Sequence, residues 1–192
     1  MNFNAIIKRV KNMVFKTGEE WDNIRGESTS IQDLYLKFGI IVYAVPAAAF
    51  FIGMLIAFRG RLFGRVLFMA ILFYAFTMGV IFLMGLLADV IGKQFGAPKD
   101  MSASQKLCVY SLTPYAVIGV LFLFLTIGGG ISYLILAASL FSFYPMALGA
   151  GKLKDIAKDK LVPFIAIMAI AWLILIYAAY QLSGRIVFSR FF

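Results

Sequence analysis

Long uncharged runs, separated by short charged stretches, organise this chain. The longest run covers residues 107–151 and lies between Lys106 and Lys152. As one helix it would extend for about 68 Å, at about 1.5 Å per residue, whereas the hydrocarbon core of a bilayer is only about 30 Å thick. The run therefore predicts two crossings. Three glycines at 128–130 mark the predicted turn, because glycine disfavours the helix and permits backbone angles that other residues avoid.

Five segments in all are long enough to cross a bilayer as helices, which requires about 20 apolar residues. They are residues 38–58, 66–88, about 107–127, 131–151 and 161–184. The sequence therefore predicts an all-α integral membrane protein, with a five-helix transmembrane domain at residues 38–184. An N-terminal segment at 1–37 precedes this domain, and a short tail at 185–192 follows it.

The N-terminal segment has the pattern of an amphipathic interfacial helix. Between Phe3 and Val14 its apolar side chains recur at helical spacing, and its basic side chains fall mostly on the other side. Such a helix fits the headgroup region of a bilayer with its apolar face down; packing on the rest of the protein is the alternative. Trp21 and Ile24 follow. Because tryptophan favours the membrane boundary, we expect both of them to face lipid.

Composition agrees with a membrane protein and excludes several kinds of active site. Hydrophobic residues make up 62% of the 192-residue chain and charged residues 14%, against about 45–50% and about 25% in soluble domains. The absence of histidine excludes HExxH zinc sites, Ser-His-Asp triads and histidine-ligated haem or copper. No predicted span has an interior Asp or Glu, which argues against a carboxylate proton relay. We expect no enzyme activity, no cofactor and no metal site.

The distribution of positive charge predicts an orientation in the membrane. The net charge is +9, and the basic residues flank the apolar runs, which favours contact with anionic lipid headgroups over nucleic acid. Thirteen Lys and Arg side chains lie in the N-terminal segment and in the loops after the second and fourth spans, against five on the opposite side. Since Lys and Arg accumulate in cytoplasmic loops, we expect a cytoplasmic N-terminus and an extracytoplasmic C-terminus.

Prolines and hydroxyl groups inside the predicted spans are the candidate functional residues. Pro46, Pro114 and Pro145 each remove a backbone donor and free a carbonyl, which in lipid must find another partner. Hydroxyl side chains flank all three prolines. These side chains either line a polar substrate path or satisfy the kinked backbone and join helices. The full candidate set is Tyr43, Pro46, Ser111, Thr113, Pro114, Tyr115, Ser142, Tyr144 and Pro145.

Two further residues are candidates for an interface, Trp21 and Asp89. Asp89 closes the second span, where a carboxylate opposes the helix dipole and needs a cationic partner. Lys93, one turn further on, is the expected partner. Small residues four apart, such as Ala49 and Gly53, permit close helix contacts either within the chain or between two copies of it.

Three motifs accompany the five predicted spans. They are EEWDNI at residues 19–24 before the first span, YSLTPY at 110–115 in the third and FYPMALG at 143–149 in the fourth. A short Lys/Asp loop then leads through Lys160-Leu161 into the last span. Together with a cytoplasmic N-terminus, these motifs resemble the prokaryotic branch of the Yip-one domain family, the Ypt-interacting proteins. The resemblance covers roughly residues 15–184.

The resemblance implies a non-enzymatic protein of the prokaryotic cytoplasmic (inner) membrane. Eukaryotic relatives are implicated in vesicle traffic and in binding small Rab-type GTPases, and they carry a DLYGP motif. Asp33-Leu34-Tyr35 matches its first three letters, and Leu36-Lys37 replaces the last two. The resemblance to the prokaryotic branch implies no particular activity.

The leading hypothesis is a role in membrane organisation or partner recruitment, similar to trafficking. Its partners would be a bilayer with anionic headgroups, a membrane or cytoplasmic protein, and as a further candidate a second copy of the chain. On this hypothesis, the N-terminal arm acts together with the loops Asp89–Lys106 and Lys152–Lys160, and the five-span core folds without residues 1–30. The alternative is a channel or transporter for an ion or small molecule through the kinked third and fourth spans.

Overall fold

A computed structural model of the chain describes residues 2–124 and 130–191, and this part consists of helices joined by short loops, with no strand. The helices are α1 (Phe3–Phe15), α2 (Thr17–Arg25), α3 (Ile31–Ala57), α4 (Phe63–Gln94), α5 (Met101–Ser111), α6 (Thr113–Ile118), α7 (Gly130–Ser139), α8 (Phe143–Leu153) and α9 (Lys158–Phe191). Of the predicted glycine turn, Gly128 and Gly129 lie outside the described residues, and Gly130 begins α7.

Five helical segments are long and apolar enough to cross a bilayer, which confirms the predicted all-α fold with five spans. They are Ile31–Ala57, Phe63–Gln94, Met101–Phe124, Tyr133–Leu153 and Lys158–Ala179. The third consists of α5, α6 and the 3₁₀ segment Gly119–Phe124, and the fourth consists of most of α7, a 3₁₀ turn and α8.

Several helices extend beyond the uncharged runs, and α3 and α5 begin at side-chain caps, Ser30 and Asp100. α3 begins at Ile31, well before the first predicted span, and α5 begins at Met101. There the Asp100 carboxylate accepts a hydrogen bond from the Ala103 N–H at 2.9 Å. α4 has 32 residues and extends for about 48 Å, well past a hydrocarbon core of about 30 Å. The second span is therefore long enough to continue into the headgroup region.

The connections between spans lie at two ends of the bundle. One end, which we call the capped end, carries α1, α2 and the loops at residues 95–100 and 154–157. The opposite end carries the turn at 58–62 between α3 and α4. In that turn Arg59, Gly60 and Leu62 adopt positive φ of 50°, 75° and 62°.

The third and fourth spans are each broken. In the third, α5 ends at Ser111 and Pro114 lies in the first turn of α6. In the fourth, the 3₁₀ turn Leu140–Ser142 separates α7 from α8, and Pro145 lies in the first turn of α8. Proline is tolerated there because the first N–H groups of a helix have no intrahelical partner. These two prolines therefore begin new helices, whereas Pro46 lies inside α3.

The two N-terminal helices, α1 and α2, belong to the core of the protein, and we call them the N-terminal pair. α2 packs against α8, while α1 packs against α2 and α6. Met13, Trp21 and Ile24 each have an exposed fraction of 0%. The prediction that Trp21 and Ile24 face lipid is therefore wrong. Deleting residues 1–30 would open this part of the core, so the function of the pair has to be tested with point variants.

Two glycines bring the first and third spans into direct contact. At Gly53 a Cβ atom would lie 2.7 Å from the carbonyl oxygen of Phe122 and 2.8 Å from that of Leu123. At Gly119 a Cβ atom would lie 2.6 Å from Pro46 Cγ. Both contacts join helices of one chain, so the small residue at position 53 serves packing within the chain.

Gly53→Ala should lower the thermal stability of the protein. The added methyl group would press on two backbone carbonyls, and overpacking of this kind costs about 1–3 kcal/mol. Gly79→Ala is the matched control, because Gly79 lies in α4 with nothing within 4 Å of its Cβ position and alanine favours a helix over glycine by about 1 kcal/mol. Thermal unfolding in detergent should place the first variant below the wild type and the second at or above it. Equal midpoints for the two variants would contradict the close contact.

Candidate functional site: polar contacts at the capped end

Trp21 attaches α2 to the fourth span. Its indole Nε1 donates a hydrogen bond to the carbonyl oxygen of Pro145 at 2.9 Å. The ring lies over Gly149, where a Cβ atom would approach it to 2.6 Å, and it meets the Tyr110 ring edge-to-face, with centroids 6.4 Å apart. A buried indole is more stable when its N–H has an acceptor. This carbonyl supplies one inside the protein, which explains why Trp21 leaves the membrane boundary.

Arg9 joins the two helices of the N-terminal pair to the third span. Its Nε is 3.0 Å from Glu20 Oε1, and its Nη1 and Nη2 donate to the two carboxylate oxygens of Glu27. The guanidinium carbon lies 5.0 Å from the centre of the Tyr110 ring, a cation–π contact. Burial lowers the pKa of Arg9, but the bond with Glu27 leaves the pKa above its usual value. The side chain therefore stays charged.

The two lysines at the ends of the long uncharged run both contact the N-terminal segment. Lys106 Nζ donates to the carbonyl oxygen of Glu27. Lys152 Nζ donates to the carbonyl oxygen of Gly18 at 2.8 Å and to the Asp22 carboxylate at 2.7 Å. The start of the third span and the end of the fourth are thus fixed to the same short segment.

Asp89 lies in a second network, which joins the loops of the capped end. Its Oδ1 is 3.2 Å from Lys154 Nζ and accepts hydrogen bonds from Ser104 Oγ at 3.2 Å and the Asp100 N–H at 3.1 Å. Lys154 is fully buried and also donates to the carbonyl oxygens of Pro98 and Asp100, at 2.9 and 3.1 Å. The expected partner of Asp89 was one turn away on the same helix. The actual partner comes from the end of the fourth span, because only an inward lysine can reach a carboxylate that is 2% exposed.

Two of the six hydroxyl groups predicted inside the spans, those of Tyr43 and Ser142, bond to the backbone. The Tyr43 hydroxyl donates to the carbonyl oxygen of Val109 at 2.6 Å. Ser142 Oγ accepts at 3.1 Å from the Tyr115 N–H, which lies in the first turn of α6 and lacks an intrahelical partner. The Tyr115 ring meets Trp172 edge-to-face, with centroids 5.3 Å apart. Polar groups freed near the break are thus paired inside the bundle, as lipid requires.

The remaining candidates lie in different settings. Ser111 and Thr113 are fully buried, and within the described residues their hydroxyls have no hydrogen-bond partner. Pro46 packs against Gly119. Tyr144 points outwards, with an exposed fraction of 57%. The residues that lie close to the break between α5 and α6 are therefore Tyr43, Ser111, Thr113, Tyr115 and Ser142. In residues 2–124 and 130–191, no group of three or more Cys, Asp or Glu side chains could hold a metal ion.

Sequence reasoning missed the cations that dock the N-terminal pair. It treated Lys106 and Lys152 as the ends of an apolar run, and Arg9 as part of the polar side of α1. One signal was available for Arg9. It precedes Met13 by four positions, and residues four apart lie on the same face of a helix. A charge in line with the buried apolar residues indicates a buried partner.

Most of the chain matches one known domain. A family model described as the Yip1 domain matches residues 11–181. The chain belongs to the Yip1 domain family. This confirms the resemblance at the level of the family, and comparisons with curated proteins and with solved structures gave no match. In this Yip1-domain protein the matched residues include α2 and the five candidate spans, so the contacts of Trp21 and Asp89 lie within the domain.

The sequence Asp33-Leu34-Tyr35, which matches the first letters of the DLYGP motif, lies at the beginning of α3. Leu34 is buried, and the Tyr35 hydroxyl donates to Gln105 Oε1 at 2.7 Å. A π-helical turn, Tyr35–Gly39, follows. In this Yip1-domain protein the matching residues therefore connect the first span to the third.

Trp21→Phe should destabilise the protein more than Trp172→Phe. Both indoles are buried, but the Trp172 N–H has no hydrogen-bond partner within the described residues. The two substitutions remove the same volume, and only the first also removes a hydrogen bond, which contributes about 1 kcal/mol. Chemical unfolding followed by circular dichroism measures the difference. Equal losses in the two variants would argue against the bond to Pro145.

Lys154→Met should lower the free energy of unfolding by about 3–5 kcal/mol, because it leaves Asp89 charged and buried without its partner. Adding Asp89→Asn should restore part of the loss, since the double variant buries no charge. Lys37→Met is the control: Lys37 pairs with Asp33 at 2.8 Å on the surface, where such a pair contributes about 0–1 kcal/mol. The same unfolding measurement applies. A double variant no more stable than Lys154→Met alone would contradict the pairing.

Proposed function

We propose that this Yip1-domain protein organises the membrane around it by holding the N-terminal pair rigidly beside its five-helix bundle. The observation that carries the proposal is the docking of this pair by buried groups. Trp21 bonds to the fourth span, and Arg9 contacts the third. Helices held in this way cannot swing away from the bundle as a flexible arm would.

The position of α1 supports a role in shaping the bilayer. α1 packs against α6, and Arg9 lies over the ring of Tyr110, so the helix lies beside the uncharged run and not above it. Two additional helices broaden the protein at the capped end. Among the described residues, no comparable helix flanks the opposite end. A protein that is wider in one leaflet fits best where that leaflet is convex.

The proposal includes the orientation and location expected from the sequence. The excess of Lys and Arg at the capped end supports a cytoplasmic position for residues 1–37, in the cytoplasmic membrane of a prokaryote. Residues 38–184 then form the membrane domain, and 185–192 form the extracytoplasmic tail.

A protein partner would meet the loops at 95–100 and 154–157, which Lys154 joins. No enzyme activity and no cofactor are part of the proposal.

Transport of an ion or small molecule is a second candidate function. The specific observation in its favour is the break in the third span. Ser111 and Thr113 lie at this break, and their buried hydroxyls have no hydrogen-bond partner among the described residues. Interrupted helices supply the binding sites of many transporters. The outward position of Tyr144 removes one residue from the proposed path.

Sorting by membrane curvature tests the proposed function. Labelled protein, reconstituted in phosphatidylcholine vesicles of mixed diameter and selected for the capped end outwards, should be several-fold denser in the smallest vesicles. Arg9→Gln should weaken this preference, because it removes the contacts of α1 with Glu20 and Glu27. Imaging of single vesicles measures protein density against diameter.

Arg25→Gln is the matched control for Arg9→Gln, since Arg25 pairs with Asp155 at 3.5 Å on the surface. It should sort as the wild type does. Equal density in vesicles of all sizes overturns the proposal. Ion flux through the same vesicles, lost in Ser111→Ala/Thr113→Val and retained in Tyr144→Phe, would instead favour transport.

A further inference from the structure

We propose that the outward face of α1 binds the phosphate-bearing headgroups of anionic phospholipids in the surrounding leaflet. This face, which we call the outer face, consists of Phe3, Ile7, Lys8, Lys11 and Phe15. The inference rests on the proposed function, because it identifies the lipids that the docked helix meets. The sequence analysis expected the apolar face of α1 to enter the bilayer. In the structure, part of that face packs on the bundle, and we assign lipid binding to the outer face.

α1 has apolar side chains on two faces. Ile6 and Met13 point inwards and are buried, with exposed fractions of 4% and 0%. Phe3, Ile7 and Phe15 point outwards, with exposed fractions of 67%, 51% and 78%. The inward face is occupied by the bundle. α1 packs against α6 of the third span, so its outward face is directed away from the bundle, toward the surrounding leaflet.

The lysines of the outer face are available for binding. Within the described residues, neither Lys8 nor Lys11 has a carboxylate oxygen within 4 Å. Lys16 lies 3.7 Å from Glu19, and both of these side chains are exposed. Arg9, by contrast, points inwards and is paired with two carboxylates. The outer face therefore carries positive charge that the protein itself does not neutralise.

A cleft between α1 and α2 adjoins these lysines. It has a volume of about 460 Å³ and is lined by Lys8, Lys11, Asn12, Phe15, Lys16, Glu19 and Asn23. Its basic and amide groups suit a phosphate, its one carboxylate, Glu19, lies 3.7 Å from Lys16 Nζ, and the exposed ring of Phe15 suits an acyl chain. The long aliphatic part of each lysine side chain lets its ammonium group reach the headgroups while the helix itself lies deeper in the leaflet.

Charge and apolar surface together identify the bilayer as the occupant. A free phosphate would contact the lysines and leave Phe3, Ile7 and Phe15 in water. Lipids present phosphates and hydrocarbon at adjacent depths, and an amphipathic helix lying in the interface contacts both. Each basic side chain near an anionic surface strengthens such binding about fivefold at physiological salt.

Native mass spectrometry of the full-length protein tests the proposal. Protein extracted from vesicles of phosphatidylcholine and phosphatidylglycerol should retain phosphatidylglycerol preferentially. Lys8→Gln/Lys11→Gln should reduce this preference by roughly tenfold or more, from about fivefold per lysine. Lys93→Gln/Lys99→Gln, which changes the net charge equally at two exposed positions in and beside another loop of the capped end, should retain it. Circular dichroism checks that both variants are folded.

Two results would overturn the proposal. One is an unchanged preference in Lys8→Gln/Lys11→Gln, which would leave the outer face to a protein partner. The other is an equal loss in both double variants, which would show a response to net charge alone. The curvature assay uses phosphatidylcholine only, so a failure here with intact sorting rejects the lipid site and leaves the proposed function standing. Conversely, a loss of curvature sorting with an intact preference for phosphatidylglycerol rejects the proposed function and leaves the lipid site standing.

Discussion

Charged groups that leave water must find partners, and this constraint governs the capped end. Removing an ion from water into a protein interior costs several kcal/mol unless an opposite charge and hydrogen bonds compensate it. Lys154 is compensated by Asp89 and two carbonyl oxygens. Arg9 is compensated by Glu20 and Glu27. Each set of partners comes from a different part of the chain, so satisfying the charges also brings together helices that are distant in sequence.

A related constraint acts inside the membrane, where the backbone itself must be satisfied. The third span breaks between α5 and α6, and the fourth breaks before α8. Ser142 accepts from the first turn of α6, and Tyr43 donates to the carbonyl of Val109. The hydroxyls therefore bond the two broken spans to each other and to the first span. Ser111 and Thr113 are the exceptions, and for this reason the break is also the position where a transport function would have to operate.

The sequence predicted the five spans because the bilayer imposes a length that can be counted. It did not predict which residues dock the N-terminal pair. The bond from Trp21 to Pro145 joins positions 124 residues apart, and no local pattern records such a pairing. The general preference of tryptophan for the membrane boundary suggested that Trp21 would lie in the headgroup region, but the Pro145 carbonyl offered a buried acceptor. Similarly, Lys93 is closer to Asp89 along the helix, yet it is exposed, and Lys154 points inwards.

The distance along the chain between Trp21 and its acceptor also determines the order of assembly. The N-terminal pair is synthesised first, but its binding surface on α8 does not exist until the fourth span has been made. At about 5–20 residues per second, α2 waits for roughly 6–25 s with Trp21 undocked. During this interval the outer face of α1 can hold the helix at the membrane surface. The first helices to be made are then among the last to reach their final position.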